Sequence, residues 1–153
     1  MFDDLYQELI LDHSRRETNR GALGAGACHT HLRNPFCGDD IKLWVQFDGD
    51  RIRKVRFSGM GCLISQAAAS MMAELAEGRT LEQVQQLSHD FRTLLDGRAH
   101  EDVHDRIGDL VALGGVRRVP ARIRCALLAF EALERLVGEE IKSRTEGKEK
   151  DSV

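Results

Sequence analysis

Apolar residues recur at helical spacing at the start of the chain, where Leu5, Leu9, Ile10 and His13 share a face and polar residues fill the rest. The pattern predicts an amphipathic helix that runs out in Ser14–Arg20. Residues Gly21 to Asn34 carry Gly24, Gly26 and Cys28-His29-Thr30-His31 and read as an irregular stretch, with at most a short extended piece near Thr30 to Arg33. From Ile41 the period changes to two: Ile41, Leu43, Val45 and Phe47 alternate with polar residues, Asp48-Gly49-Asp50 makes a turn, and Ile52, Val55 and Phe57 return. That is a β-hairpin. After Gly59-Met60-Gly61 the spacing becomes helical again through Leu63, Ala67, Ser70, Met71 and Leu75, closing at Gly78.

Thr80-Leu81-Glu82-Gln83 has the form of a capping box and opens a further helix with Val84, Leu87, Phe91, Leu94 and Leu95 on its apolar side, ended by Gly97. The stretch Arg98 to Gly115 reads as one short helix before a Gly114-Gly115 turn. Pro120 suits the first turn of a last helix, whose Cys125, Leu128, Ala129, Ala132, Leu133 and Leu136 fall together. The pattern predicts a single domain over residues 1–138, followed by a charged, disordered tail at 139–153.

With 153 residues, 42% of them hydrophobic and 31% charged, the chain supports one ordinary globular core. A net charge of -3, with arginines interspersed among carboxylates, argues against a nucleic-acid partner. No run is long and apolar enough to span a bilayer, and Met1-Phe2-Asp3-Asp4 is unlike the start of a secretory signal. The expectation is a cytoplasmic protein without a membrane partner. In a reducing compartment scattered cysteines serve better as metal ligands, reactive thiols or core residues than as disulfides.

Three cysteines have suitable surroundings for a metal: Cys37 in Cys37-Gly38-Asp39, Cys62 after Gly59-Met60-Gly61, and Cys125 behind Arg122-Ile123-Arg124. With Asp39 they make four ligands for a thiophilic ion. On an extended strand Cys37 and Asp39 would face the same way, with Gly38 removing bulk between them. Cys62 falls at a helix N-terminus, where unpaired N–H groups favour its thiolate, and Arg122 and Arg124 offer counter-charge near Cys125. The carboxylate is the hard donor among soft ones, which makes the set easier to open.

Two other signals carry less. His100-Glu101-Asp102-Val103-His104 fits the H-E-x-x-H pattern of zinc proteases, but no third histidine follows and the surroundings are those of a wet surface helix. Cys28, His29 and His31 could add ligands, although a glycine-rich loop with an incidental thiol explains them as well.

Taken together, Asn34-Pro35-Phe36-Cys37-Gly38-Asp39, Ser58-Gly59-Met60-Gly61-Cys62 with Ser65, and Pro120-Ala121-Arg122-Ile123-Arg124-Cys125-Ala126 resemble the SufU family, which has the IscU-like, or NifU N-terminal-like, fold. IscU scaffolds carry a histidine immediately before the third cysteine, where this chain has Arg124, and their segment between the second and third cysteines is shorter. The resemblance implies an α+β domain with a small antiparallel sheet packed against helices, and zinc (Zn2+) held by Cys37, Asp39, Cys62 and Cys125. It also implies a sulfur acceptor in iron–sulfur cluster biogenesis. Cys37 would take persulfide sulfur from a SufS-type cysteine desulfurase, Arg122 would support the step, and the sulfur would pass to downstream assembly proteins. Sulfurtransferase activity would then exist only together with the desulfurase. The alternative is a scaffold on which a transient [2Fe-2S] cluster is built.

Overall fold

The two-residue periodicity between Ile41 and Phe57 produces the centre of the molecule. The computed structural model describes residues 4–35, 37–98 and 100–151. Strands β1 (Cys28–Arg33), β2 (Asp40–Asp48) and β3 (Arg51–Met60) form an antiparallel sheet in the order β1-β2-β3. Ile41, Leu43 and Val45 of β2 and Ile52, Val55 and Phe57 of β3 are buried on one face. Ile52 and Val55 are three residues apart, so strict alternation cannot bury both. A register shift opposite Gln46 and Phe47 takes up the extra residue.

Helices cover the apolar face: α2 (Leu63–Ala76) lies against β3, and α5 (Pro120–Asp151) lies across β1 and β2. Helix α1 (Asp4–Arg15) packs on α2, where the buried His13 bridges Ser70 Oγ (2.9 Å from Nδ1) and Asp109 Oδ2 (2.8 Å from Nε2). Small residues Ala67, Ala68, Ala69, Ser70 and Ala73 let the neighbours of α2 approach closely, and all are buried. The capping box at Thr80 and Gln83 is formed and starts α3 (Leu81–Leu95), whose Phe91 ring meets Phe130 of α5 at 4.7 Å between centroids.

Three expectations need correction. The irregular stretch before Asn34 contains a full strand, β1, because its alternation is carried by polar and half-buried side chains (Thr30, Leu32) that face the helical side of an edge. The region after Gly97 is not one short helix ending in a glycine turn. It is α4 (Glu101–Ile107) followed by an unbroken 3-10 helix, Gly108–Arg118, which runs through Gly114-Gly115. Its buried Leu110, Leu113 and Val116 recur every three residues, the period of that helix. Finally, α5 does not stop at Gly138. Glutamate, lysine and arginine are good helix formers, Arg144 pairs with Glu140 one turn back at 3.0 Å, and Ile141 packs on the core, which together outweigh the roughly 1 kcal/mol cost of a glycine.

The second sheet edge is also used. Gly21 N–H donates to Phe57 O and Phe57 N–H to Asn19 O, both at 2.9 Å, while Arg20 stacks 4.9 Å over the Phe57 ring. No helix among the described residues is long and apolar enough to cross a membrane.

Candidate metal centre

Three segments meet beyond the ends of β2 and β3. The first is the loop between β1 and β2. Asn34 N–H donates to Asp39 O at 2.8 Å and Gly38 N–H donates to Asn34 O at 2.9 Å, so the loop is closed by its own backbone. Cys37 lies in this turn, not on the extended strand that its spacing from Asp39 suggested. Gly38 adopts φ 75°, and a Cβ there would meet nothing within 4 Å. Its glycine is needed for the left-handed backbone rather than for space. The side chain of Cys37 is exposed at the tip and that of Asp39 is buried beneath it. Phe36 of the same motif lies outside the described residues.

The second segment is the passage from β3 to α2. A Cβ at Gly59, where φ is 138°, would stand 2.0 Å from Asp40 O, and one at Gly61 would stand 2.2 Å from Ser65 Oγ and 2.8 Å from Asp39 Oδ1. Both glycines are therefore fixed by close approach, and Gly61 in particular leaves the space that the Asp39 carboxylate fills. Cys62 caps α2: its Sγ accepts the Ser65 N–H at 3.5 Å and its own N–H donates to Asp39 Oδ1 at 2.9 Å. The third segment is the second turn of α5, which brings in Cys125, almost fully buried.

Cys37 Sγ, an Asp39 oxygen and Cys125 Sγ all lie within 4.8 Å of one another, the one such trio among the described residues. The two sulfurs are 3.5 Å apart. Two thiolates about 2.3 Å from a tetrahedral zinc would stand about 3.8 Å apart, so the observed spacing and the donor set both suit such an ion. Cys62 flanks the trio on one side. Its Sγ is 3.9 Å from Asp39 Oδ2, although it does not come within the same radius of every other member.

Electrostatics bind the group together. Burial opposes charge on Asp39, but the Cys37 and Cys125 thiols, the Cys62 N–H and the Ser65 hydroxyl donate to it and hold it below the usual carboxylate range. Burial, with hydrogen bonds to Asp39 and Cys37, pushes the Cys125 thiol well above its ordinary range. The Cys62 sulfur, with Cys125 and Asp39 behind it, holds the Arg122 guanidinium above its usual value. Arg122, placed by its spacing as support for Cys125, is thus engaged chiefly with Cys62. Arg122 and Arg124 both line the open cleft of about 790 Å³ into which Cys37, Cys62 and Cys125 face.

The other candidates do not converge. Cys28 and His29 point to opposite faces of β1, and His31 is held by both carboxylate oxygens of Asp40 at 2.8 Å. His100 and His104 are exposed, with His100 ahead of α4 rather than on it, so the H-E-x-x-H resemblance has no site behind it. Sequence reasoning missed Ser65, whose hydroxyl donates to Cys62 O at 3.0 Å and whose N–H donates to Cys62 Sγ, and the orienting role of the Cys62 N–H. The serine three residues after a cysteine at a helix start was the available signal.

A family model described as the NifU-like N terminal domain matches residues 5–139. The chain is 40% identical over 138 residues to the zinc-dependent sulfurtransferase SufU of Bacillus subtilis (strain 168), covering 90% of this chain and 92% of that one. It is 37% identical to the iron-sulfur cluster assembly scaffold protein IscU of Streptococcus pyogenes serotype M1, covering 87% and 82%. Among solved structures, a hypothetical protein at 36% identity superposes with a TM-score of 0.82 over 88% of this chain and 97% of that chain. The iron-sulfur cluster assembly scaffold protein FiSufU of Fervidobacterium Islandicum AW-1 does so with a TM-score of 0.77 at 31% identity, covering 83% and 92%.

Proposed function

Because the chain belongs to the NifU-like N-terminal domain family, we propose that it is a zinc-dependent sulfur acceptor in iron–sulfur cluster assembly, working with a cysteine desulfurase in the cytoplasm. One observation carries the reading. An exposed thiol, Cys37, stands at the mouth of a cleft with a buried carboxylate and a buried thiol directly behind it. Cys37, Asp39, Cys62 and Cys125 would hold the ion, and when bound it would keep the thiols deprotonated at neutral pH.

In the transfer step the Cys37 sulfur attacks the outer sulfur of a persulfide on the desulfurase. A new Cys37 Sγ–S bond forms, the S–S bond of the donor breaks, and the desulfurase thiolate leaves. Asp39 is buried and its carboxylate is held by the Cys62 N–H, so it stays in place while Cys37, exposed on its turn, swings toward the partner. Arg122, beside Cys62, supplies positive charge near the anionic sulfurs. Downstream assembly proteins receive the sulfur.

The test is desulfurase turnover with and without this protein, before and after chelation. The reading expects stimulation that is lost with Cys37→Ala and on chelation; full stimulation by either preparation would overturn it. The similarity to IscU keeps a second reading, a [2Fe-2S] scaffold on the same residues. A colourless protein carrying one zinc supports the acceptor, and visible absorption from a cluster on these cysteines supports the scaffold.

A further inference from the structure

The two sulfurs of the trio differ in access. Cys37 is exposed on its turn, whereas Cys125 is 1% exposed and beyond the reach of any protein partner. Yet Cys125 Sγ touches Cys37 Sγ from the inside at 3.5 Å. Cys62 lies beside the trio, its sulfur accepting the Ser65 N–H and standing 3.9 Å from Asp39 Oδ2. An outer thiol that partners can reach, backed by a buried thiol in direct contact with it, is an arrangement for internal exchange.

We propose that Cys125 is a resolving thiol, which discharges a persulfide on Cys37 as hydrogen sulfide and leaves a Cys37–Cys125 disulfide. The inference rests on the acceptor reading for the presence of sulfur on Cys37. Cys125 Sγ attacks Cys37 Sγ, the inner sulfur of the persulfide. The Cys125–Cys37 S–S bond forms and the bond from Cys37 Sγ to the outer sulfur breaks. As Cys125 Sγ attacks, its proton passes to the neighbouring Asp39 carboxylate and from there to the departing hydrosulfide, which leaves as neutral hydrogen sulfide. The outer sulfur is reduced to sulfide as Cys125 is oxidised to the disulfide level, so no further oxidant or reductant enters. The attacking and attacked sulfurs need to close by about 1.5 Å to reach bonding distance, a displacement that the exposed turn at Cys37 can supply.

The same geometry says when the reaction runs. Cys125 committed to an ion as a ligand cannot attack, so the discharge belongs to the chain that has lost its metal. Such a chain would shed its sulfur and lock instead of delivering it. A recipient thiol competes by attacking the outer sulfur, whereas Cys125 is the thiol in contact with the inner one.

Loading with inorganic polysulfide separates this inference from the acceptor reading, because it places sulfur on Cys37 without any desulfurase. The full chain, as purified and after chelation, would be treated anaerobically with sodium tetrasulfide and desalted, then followed by intact mass, peptide mapping and released sulfide. Chelated wild type is expected to end two hydrogens lighter than the reduced chain, cross-linked between Cys37 and Cys125, with one equivalent of sulfide released. Cys125→Ser and Cys125→Ala should retain the added sulfur, with release slowed at least about tenfold. Cys62→Ser should still cross-link, and the metal-loaded chain should keep its sulfur. Equal persistence of the persulfide in wild type and both Cys125 variants overturns the proposal, as does a cross-link to Cys62. If a desulfurase fails to load Cys37 while polysulfide-loaded protein still discharges, the acceptor reading falls and the resolving role of Cys125 is supported.

Discussion

Asn34 and Asp39 are joined backbone to backbone, the N–H of the first donating to the carbonyl of the second at 2.8 Å, so the turn that presents Cys37 is closed at its base. The hydrogen bond fixes where Asp39 enters the site and leaves the tip of the turn to Gly38. Everything at that tip depends on one backbone angle.

Gly38→Ala should therefore cost about 1–2 kcal/mol through backbone strain alone, since the added methyl meets nothing. Gly38→Asn should recover much of that loss, because asparagine tolerates a left-handed backbone. Urea unfolding and zinc affinity measured on the two variants check this. Equal losses for alanine and asparagine would mean that space, not conformation, is limiting.

The glycines before Cys62 should separate in the opposite way. Gly59→Ala drives a methyl into the Asp40 carbonyl and should destabilise the fold by about 2 kcal/mol or more, lowering the urea midpoint without changing the slope. Gly61→Ala presses on Asp39 Oδ1 and Ser65 Oγ, so its main effect should be weaker metal binding, read by competition with a chromophoric chelator. Unaltered affinity in Gly61→Ala would show that Asp39 does not need its present place.

Away from the site, Asp90 is buried and receives Arg106 through two bonds of 3.0 Å and Gln86 through one of 2.9 Å. The Arg106 guanidinium, against the opposing effect of burial, keeps this carboxyl below the usual range. A depressed folded value means stability that is fully present above the ordinary aspartate range and is lost as pH falls toward the folded value. Asp90→Asn should cost about 2 kcal/mol at neutral pH and flatten the acid side of the stability profile. A profile with unchanged steepness would assign the acid sensitivity to other groups.

Cys28 sits at the far end of β1 from the metal centre, and burial, followed by Glu140 and Glu139, pushes its thiol up. Removing residues 139–153 takes away those carboxylates and part of the cover. Alkylation of Cys28 by iodoacetamide near neutral pH should then speed up several-fold, on the order of a threefold change. An unchanged rate would mean that α5 beyond Gly138 does not shield the strand.

The sheet centre and the long helices were legible because their apolar positions follow one period over many residues: Ile41 to Val45 at two, Leu81 to Leu95 at the helical spacing. Cys37, Asp39 and Cys125, which the fold brings together, stand out because their local motifs are distinctive. What escaped notice had a different physical origin. Strand β1 has too few apolar residues to display its alternation, and the 3-10 helix hides a period of three in Leu110, Leu113 and Val116 that resembles an irregular α-helix. The turn at Cys37 was misjudged because Cys-Gly-Asp spacing suits either a strand or a left-handed glycine, and only tertiary hydrogen bonds between Asn34, Gly38 and Asp39 decide between them. Gly138 suggested an end to α5, but contacts made by Ile141 and Arg144 carry the helix past it.

The two touching sulfurs are 88 positions apart, with Cys62 between them and Cys125 in the last helix. During synthesis the first two thiols emerge long before the third, and no complete pocket exists until α5 has docked against the sheet. An ion taken up by all four side chains would close that long loop and, by restricting the unfolded chain, favour the native state. Occupancy of the centre would thus be a signature of a finished molecule, withheld from nascent chains, or chains clipped before Cys125, that still display Cys37.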